Sequence, residues 1–423
     1  MQKKNILSVV LVLISIFQLH ARLFAAPPEM IPNQYIVVFK ESVGDSEGES
    51  NDLRDRHGLA KIRVYLHALK GFLAVIPPAK LKEIAADPRV AFLSQDRVFH
   101  TMVQNRSTGI DRINAGISTS AGRTGLRADT GQPVDVAVID TGIDLTHPDL
   151  AANIGGSVNF VNPAKNGNDD NGHGSHVAGI IGAVNNEIGV VGVVPNVRLW
   201  AVKVLNADGL GLFSTIIAGI DWVTASRTTP GREPIEVANL SLGGFGFDDG
   251  HCGLSNGDAL HRAICRSVGA GVTYVVAAGN NGRDAFFTTP AAYREVIAVS
   301  ALVDTDGRPG GLGPATPFGN DDTLARFSNF GLVVDLIAPG VDIFSTYMNG
   351  GYATLSGTSM AAPHATGAAA LFIAAHPGAS PAAVRNGLIQ TGRLDWKVST
   401  DRDPLHEPRV DACRASGLGA ACP

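Results

Sequence analysis

From residue 134 onward, short apolar runs recur with helical stretches between most of them. The runs are VDVAVID (134–140), VRLWAVKVL (197–205), IEVANLSL (235–242), GVTYVVAAG (271–279), EVIAVSAL (295–302) and VVDLIAPG (333–340). Near-continuous apolar character of this kind marks strands buried on both faces, as in a parallel sheet. Helical patterns lie at 173–184, 214–226, 256–269, 359–375 and 380–390. The alternation predicts one α/β domain: a doubly wound, mostly parallel sheet with helices on both faces. Ligands bind such sheets beyond the carboxyl ends of the strands, so reactive residues are sought there.

The chain ahead of this domain has two parts. Lys3 and Lys4 precede an apolar run, Ile6 to Phe17, and small residues follow at Ala25 and Ala26. That is the pattern of a signal peptide over residues 1–26, too short for a membrane anchor. No second long apolar stretch appears, so a secreted, soluble protein is expected. QYIVVFK (34–40), GFLAVIP (71–77), AKLKEIAAD (79–87) and VAFLSQD (90–96) then form a small β-α-β unit, with a polar stretch from Glu41 to Asp52. The segment 304–322 reads as a long surface loop.

Charge narrows the partners. The chain carries −5, of which residues 1–26 contribute +3 and residues 27–102 nothing, so the body carries −8. A mildly acidic body is the wrong electrostatic footprint for nucleic acid. The four cysteines of an exported chain suggest disulfides, with nearest neighbours 252–265 and 413–422 as the pairing; free buried thiols are the alternative. No Cys-x-x-Cys spacing favours zinc.

Three segments hold the candidate chemistry. VIDTGIDLTHPDL (138–150) ends a strand at Asp140, NGHGSHVAGIIGAV (171–184) starts a helix at His173, and LSGTSMAAPHATGAAALF (355–372) starts another at Ser359. Pro363 fits a helix beginning near Ser359, because the first turn has no intrahelical N–H partners to lose. Taken alone, Ser359 reads as an N-cap. Brought together, the three residues make a nucleophile: His173 takes the proton of Ser359, and Asp140 orients the ring.

DTGID with HPDL, NGHGSHVAG and SGTSMAAPH, in that order, resemble the subtilisin family of serine proteases, from about residue 34 to 391. Ser356 before the last block's Gly makes it more similar to the proteinase K branch. The resemblance implies an Asp140–His173–Ser359 triad. VVAAGNNG (275–282) matches the family's oxyanion segment, implying Asn280 as side-chain donor beside the Ser359 N–H; alone, Asn280 reads as a turn residue. DGLGLF (208–213) and LSLGG (240–244) match the family's peptide-binding edges, implying Gly209, Leu210 and Gly211, and Ser241, Leu242, Gly243 and Gly244, as substrate contacts. No acid is placed at the floor of a specificity pocket, and the direction of Asp284 is open, so cleavage after apolar or aromatic residues is expected.

The resemblance further implies structural calcium (Ca2+), held by Gln104, Asp149, the Asn186 side chain and the carbonyls of Val184, Ile188 and Val190, all oxygen donors. A plain Asn-rich loop is the alternative. A weaker cation at Asp335 with carbonyls near 294–296, and a cis Thr289–Pro290 bond, are implied in the same way. Residues 27–102 resemble the family's inhibitor propeptide, a small α+β domain that chaperones folding and blocks the cleft. Cleavage after Met102 would leave Val103 as the new N-terminus, with a catalytic domain over 103–395 and a C-terminal extension over 396–423. Loop 304–322 is longer than in compact members. The tail, with Asp395, Asp401, Asp403 and two cysteines, either binds another cation or staples the C-terminus. The expected function is a secreted, monomeric, self-processed serine endopeptidase acting on protein or peptide substrates. An inactive peptide-binding scaffold and a narrow processing protease are the alternatives.

Overall fold

The computed structural model describes residues 30–101, 109–186 and 188–422. The segment read as a signal peptide, the Met102–Val103 bond and Gln104 lie outside the described residues.

Residues 30–101 form four antiparallel strands, β1 (Met30–Phe39), β2 (Ala60–Tyr65), β3 (Gly71–Val75) and β4 (Val90–Thr101), in the order β4-β1-β3-β2. Two helices join them, α1 (Ser46–His57) and α2 (Leu81–Ala85). The β-α-β reading is therefore corrected to an antiparallel α+β unit with an extra strand and an extra helix. Helix α1 covers much of the stretch read as polar. It buries only Ser46, Ser50 and Leu53, so no apolar period betrays it. Local chemistry defines it instead: Asp45 caps the Gly48 N–H, acids fill the first turn, bases the last, and Gly58 closes it at φ 59°.

Strand alternation gives this small sheet two apolar faces. Val37, Phe39, Phe72 and Ala74 pack with Leu53 of α1 and Ile84 of α2. Ile36, Val38, Tyr65 and Leu73 join the main domain's core instead.

In the main domain, β5 (Asp135–Asp140), β6 (Ile154–Asn159), β7 (Arg198–Lys203), β9 (Val237–Leu240), β11 (Thr273–Ala277), β13 (Ile297–Val303) and β15 (Leu336–Pro339) run parallel in the order β6-β7-β5-β9-β11-β13-β15. β14 (Thr323–Leu324) pairs antiparallel with β13. Helices α3 (His173–Gly182), α4 (Phe213–Thr228), α5 (Ala259–Gly269), α6 (Thr358–Ala375) and α7 (Pro381–Thr391) cover two cores. Residues of α3, α6 and α7 share one and residues of α4 and α5 the other. The first strand, β5, has the third in chain order, β7, with β6 beyond it, on one side and the fourth, β9, on the other. The order reverses there, and Asp140 is the last residue of β5.

Five further short strands went unread in the sequence. β8 (Leu210–Leu212), β10 (Leu242–Phe245) and β12 (Thr288–Thr289) belong to the same sheet as the N-terminal unit, and β16 (Ile343–Tyr347) pairs with β17 (Gly351–Leu355) as a separate hairpin. Both disulfides, Cys252–Cys265 and Cys413–Cys422, are formed as expected, and Thr289–Pro290 is cis.

The C-terminal tail is stapled by charge. The fully buried Arg409 guanidinium holds Asp395 at 2.7 and 2.6 Å, and buried Arg112 reaches Asp322 at 2.7 Å and the Asp395 carbonyl at 2.9 Å. Burial alone would raise the Asp395 carboxyl, but the two guanidiniums hold it below the usual range. Loop 304–322 is thus no simple surface loop: Asp304, Asp321 and Asp322 at its ends are buried, and Asp322 is tied to Arg112.

Candidate active site

Asp140 and His173 meet because α3 starts almost in contact with the loop after β5. A Cβ on Gly174 would lie 2.0 Å from the Gly142 carbonyl, so only glycine allows this approach. His173 Nδ1 then lies 2.7 Å from Asp140 Oδ1, with both residues almost wholly buried. The same oxygen accepts the Thr141 N–H. His173 Nε2 is buried with no hydrogen-bond partner among the described residues. An imidazole that donates from Nδ1 to a carboxylate carries its lone pair on Nε2, which is the tautomer of a general base.

Ser359 is the second residue of α6, buried at the positive end of that helix dipole. Its hydroxyl donates to the Ser241 carbonyl at 3.3 Å, and the Ser241 hydroxyl donates back to the Ser359 carbonyl at 2.8 Å. Asn280 follows β11. Its Oδ1 accepts from the Thr358 N–H at 2.9 Å and from the Thr358 hydroxyl at 3.0 Å. That fixes the amide's orientation and leaves Nδ2, buried and without a partner among the described residues, as a ready donor. Sequence reasoning missed Thr358. Its place between Gly357 and Ser359 was the available signal.

The segments expected to bind peptide are where the N-terminal unit enters. The end of β4 runs between two edges: Val98, Phe99 and His100 pair with Leu212, Gly211 and Leu210, while His100 and Thr101 pair with Gly243 and Leu242. Of the expected contacts, Leu210, Gly211, Leu242 and Gly243 therefore line this strand. Gly209 instead forms the preceding turn, with its N–H on the Asn206 carbonyl. Gly244 pairs with Thr289 of β12, and Ser241 holds Ser359. Asp284 faces the Phe286 N–H as a local cap. The N-terminal unit is held here by buried groups: Asp96 accepts the Ser214 N–H at the start of α4, and Arg97 stacks on Phe213 with 4.2 Å to the ring centre. Burial raises the Asp96 carboxyl despite its hydrogen bonds from Ser214 and Gln34.

The calcium reading meets a suitable donor set. Asp149 Oδ2 accepts from the Val190 N–H at 2.9 Å and from the Tyr352 hydroxyl at 2.8 Å, while Oδ1 is buried with no partner among the described residues. His147 of HPDL positions this acid by accepting its N–H at 3.1 Å. Asn186 lies in the same loop, its Nδ2 on the Pro148 carbonyl. Val184 donates its N–H to the Asp149 carbonyl, while Ile188 is half exposed. An orphaned carboxylate oxygen in an oxygen-rich loop suits a hard cation. The weaker cation place is corrected. Arg385 binds Asp335 at 2.5 Å and the Arg294 carbonyl at 2.8 Å, so a guanidinium already supplies the positive charge there. The described residues also contain three groups of side chains spaced to hold a metal.

Known proteins agree with this architecture. The subtilase family matches residues 131–411, and the peptidase inhibitor I9 family matches residues 34–102. An extracellular serine proteinase of Thermus sp. (strain Rt41A) is 38% identical over 386 residues, covering 86% of this chain and 85% of the relative. Subtilisin E of Bacillus subtilis (strain 168) is 36% identical over 375 residues, covering 87% of each. The crystal structure of a cold adapted subtilisin-like serine proteinase superposes with a TM-score of 0.53 at 32% identity, covering 67% of this chain and 89% of that one. No helix among the described residues is long and apolar enough to cross a membrane. With both family matches spanning the two folded units and a serine at the head of α6, this chain belongs to the subtilase family and is a serine-type endopeptidase preceded by its inhibitor propeptide.

Proposed function

We propose that Asp140, His173 and Ser359 act as the catalytic triad, with Asn280 Nδ2 and the Ser359 N–H as oxyanion donors. The carrying observation is the path of β4. Its end lies as an extended strand between β8 and β10, the way a peptide would add to two free edges, and it leads to Ser241, which touches Ser359. Main-chain pairing supplies affinity without reading side chains, which suits broad specificity. A hollow of about 380 Å³ beside β8, lined by Val161, Val204, Leu210 and Leu212, favours apolar substrate groups.

In the reaction, the Ser359 hydroxyl turns from the Ser241 carbonyl and gives its proton to His173 Nε2 as Oγ attacks the scissile carbonyl carbon. Asp140 stabilises the imidazolium through Nδ1. The carbonyl oxygen becomes an oxyanion between Asn280 Nδ2 and the Ser359 N–H. His173 passes the proton to the leaving amine, and water, activated by the same ring, hydrolyses the acyl-enzyme. Calcium, held by Asp149, Asn186, the neighbouring carbonyls and Gln104, would fix the 184–190 loop and supplies no step.

The protein is read as secreted and monomeric, with residues 1–26 removed as a signal peptide, 27–102 released after cleavage at Met102, 103–395 as the catalytic domain and 396–423 as its stapled extension. A fluorophosphonate probe, intact mass and N-terminal sequencing test this. Labelling at Ser359 with a new N-terminus at Val103 supports it. An unlabelled chain sinks the enzyme reading, and cleavage at 102 in Ser359→Ala sinks self-processing.

A further inference from the structure

His261 carries a chemistry that peptide hydrolysis does not use. It lies on α5, fully buried, its ring stacked on Tyr293 with 4.1 Å between centres. Both ring nitrogens face carboxylates. Nδ1 is 3.4 Å from Asp249 Oδ1, while Nε2 is 2.9 Å from Glu295 Oε2 and 3.8 Å from Asp248 Oδ1. A neutral imidazole has one N–H and one lone pair, so one nitrogen always aims its lone pair at negative charge. Nδ1 makes no hydrogen bond by distance and angle, and Asp249 is already filled by the N–H groups of His251, Gly253 and Ser255 and by the Ser255 hydroxyl. Nε2 shares a hydrogen bond with Glu295 Oε2 at 2.9 Å, and the proton held there lies between a ring nitrogen and two carboxylates, the place that a metal cation would take.

We propose that His261 Nε2, Asp248 Oδ1 and Glu295 Oε2 form a binding site for a divalent transition-metal ion of the zinc class. Bonds of about 2.05 Å at tetrahedral angles separate ligand atoms by roughly 3.3 Å. The two nitrogen–oxygen separations, 2.9 and 3.8 Å, bracket that value, so shifts of about half an ångström seat the ion. A nitrogen donor with two carboxylates selects zinc-class ions over calcium, which takes oxygen alone. With a metal on Nε2 the ring proton moves to Nδ1, where it faces Asp249 Oδ1 at 3.4 Å. Arg294 does not compete for the same atom, because it binds Asp248 through Oδ2. Asp248 and Glu295 are partly exposed, leaving an entry path and an open position for water.

Three separate elements present the donors: the loop after β10, helix α5 and the residue two before β13. The Cys252–Cys265 disulfide ties that loop to α5 independently, so the site is held without the ion. The cysteines beside Glu295 are oxidised and offer no thiolate.

The test uses the processed protein, its active serine blocked, stripped of metal and kept in excess calcium so that oxygen-only sites stay filled. Cobalt(II) is titrated alone and then displaced by zinc. The expected result is one equivalent of cobalt with a tetrahedral visible band, lost on adding zinc. Affinity should fall at least tenfold in both H261Q and E295Q. The partly exposed Glu295 variant keeps the test valid if H261Q does not fold. No band in the parent protein would mean that a proton, not a metal, sits at Nε2, and would overturn the proposal. A band unchanged in E295Q would place the metal elsewhere, with the same consequence.

Discussion

His173 Nδ1 and Asp140 Oδ1 stand 2.7 Å apart at the carboxyl end of β5, with both side chains shielded from water. Asp140→Asn keeps the shape but replaces an acceptor with a group that can donate. The ring then turns its N–H toward Ser359, and the base is lost. We expect kcat to fall about 10⁴-fold with KM little changed, the size known for loss of this carboxylate in serine proteases, subtilisin included. A fall below tenfold would remove Asp140 from the triad.

Asn280 should act only when the oxyanion exists. Its Oδ1 is held by Thr358, so Asn280→Ala removes the Nδ2 donor and also frees the Thr358 N–H. Loss of such a donor costs 10²–10³-fold in kcat, roughly 3 kcal/mol, a figure established on subtilisin itself. Steady-state kinetics on a peptide anilide check it, with KM unchanged. Thr358→Val should give a smaller loss, by letting the amide swing; a raised KM with kcat unchanged would argue for a binding role instead.

The Asp96 carboxylate joins the two units by taking the Ser214 N–H at 2.8 Å while fully buried. Asp96→Ala leaves that donor, at the start of α4, unpaired. An unmet buried donor costs about 1–3 kcal/mol. The inhibition constant of added residues 27–102 for the mature enzyme should therefore rise roughly 5- to 150-fold by the same free-energy scale. An unchanged constant would mean that water replaces the carboxylate at no cost.

The architecture was legible because long parallel strands buried on both faces leave unbroken apolar runs, as in β5 and β13, and because α6 is built of small residues. Short edge strands such as β8 and β12 leave no such trace, being three and two residues long. Helix α1 was hidden since its stability rests on caps and charge, not on an apolar stripe. Of the residues that the proposed mechanism uses, those that carry motifs, Asp140, His173 and Ser359, could be read directly. Those that work by reach across the fold could not: Thr358 holding Asn280, Tyr352 holding Asp149, and Arg385 standing where a cation was expected.

Removal of calcium should loosen one loop before the fold. Asp149 holds the Val190 N–H with one oxygen and offers the other, and a Cβ on Gly189 would fall 1.9 Å from the Tyr352 hydroxyl, so the loop has little room to rearrange. A chelator should lower Tm and speed autolysis within 184–190. Asp149→Asn should lower Tm further and abolish the calcium dependence, since the amide weakens the ligand set. A variant that still gains Tm from calcium would place the ion at another site.

Glu407 gives the tail a pH limit. It is buried against Ser300, and desolvation first, with the nearby Asp401 charge, pushes its carboxyl up to about 8. A pKa raised in the folded state means that folding favours the protonated acid. The stability it contributes is complete below the unfolded pKa near 4.5, and is lost progressively as pH rises to about 8, because over that range the unfolded chain has released the proton that the folded chain still holds. The inhibited mature protein should therefore lose Tm progressively between about pH 4.5 and about pH 8, beginning at the 396–411 segment, with no further loss from this group above that. Glu407→Gln keeps a hydrogen-bonding group of the same shape that cannot ionise. Its Tm should match the parent below about pH 4.5, and the gap should widen up to about pH 8 and then stay constant. Parallel pH profiles for the two proteins would show that Glu407 ionises without cost, and that the loss of stability arises elsewhere in the chain.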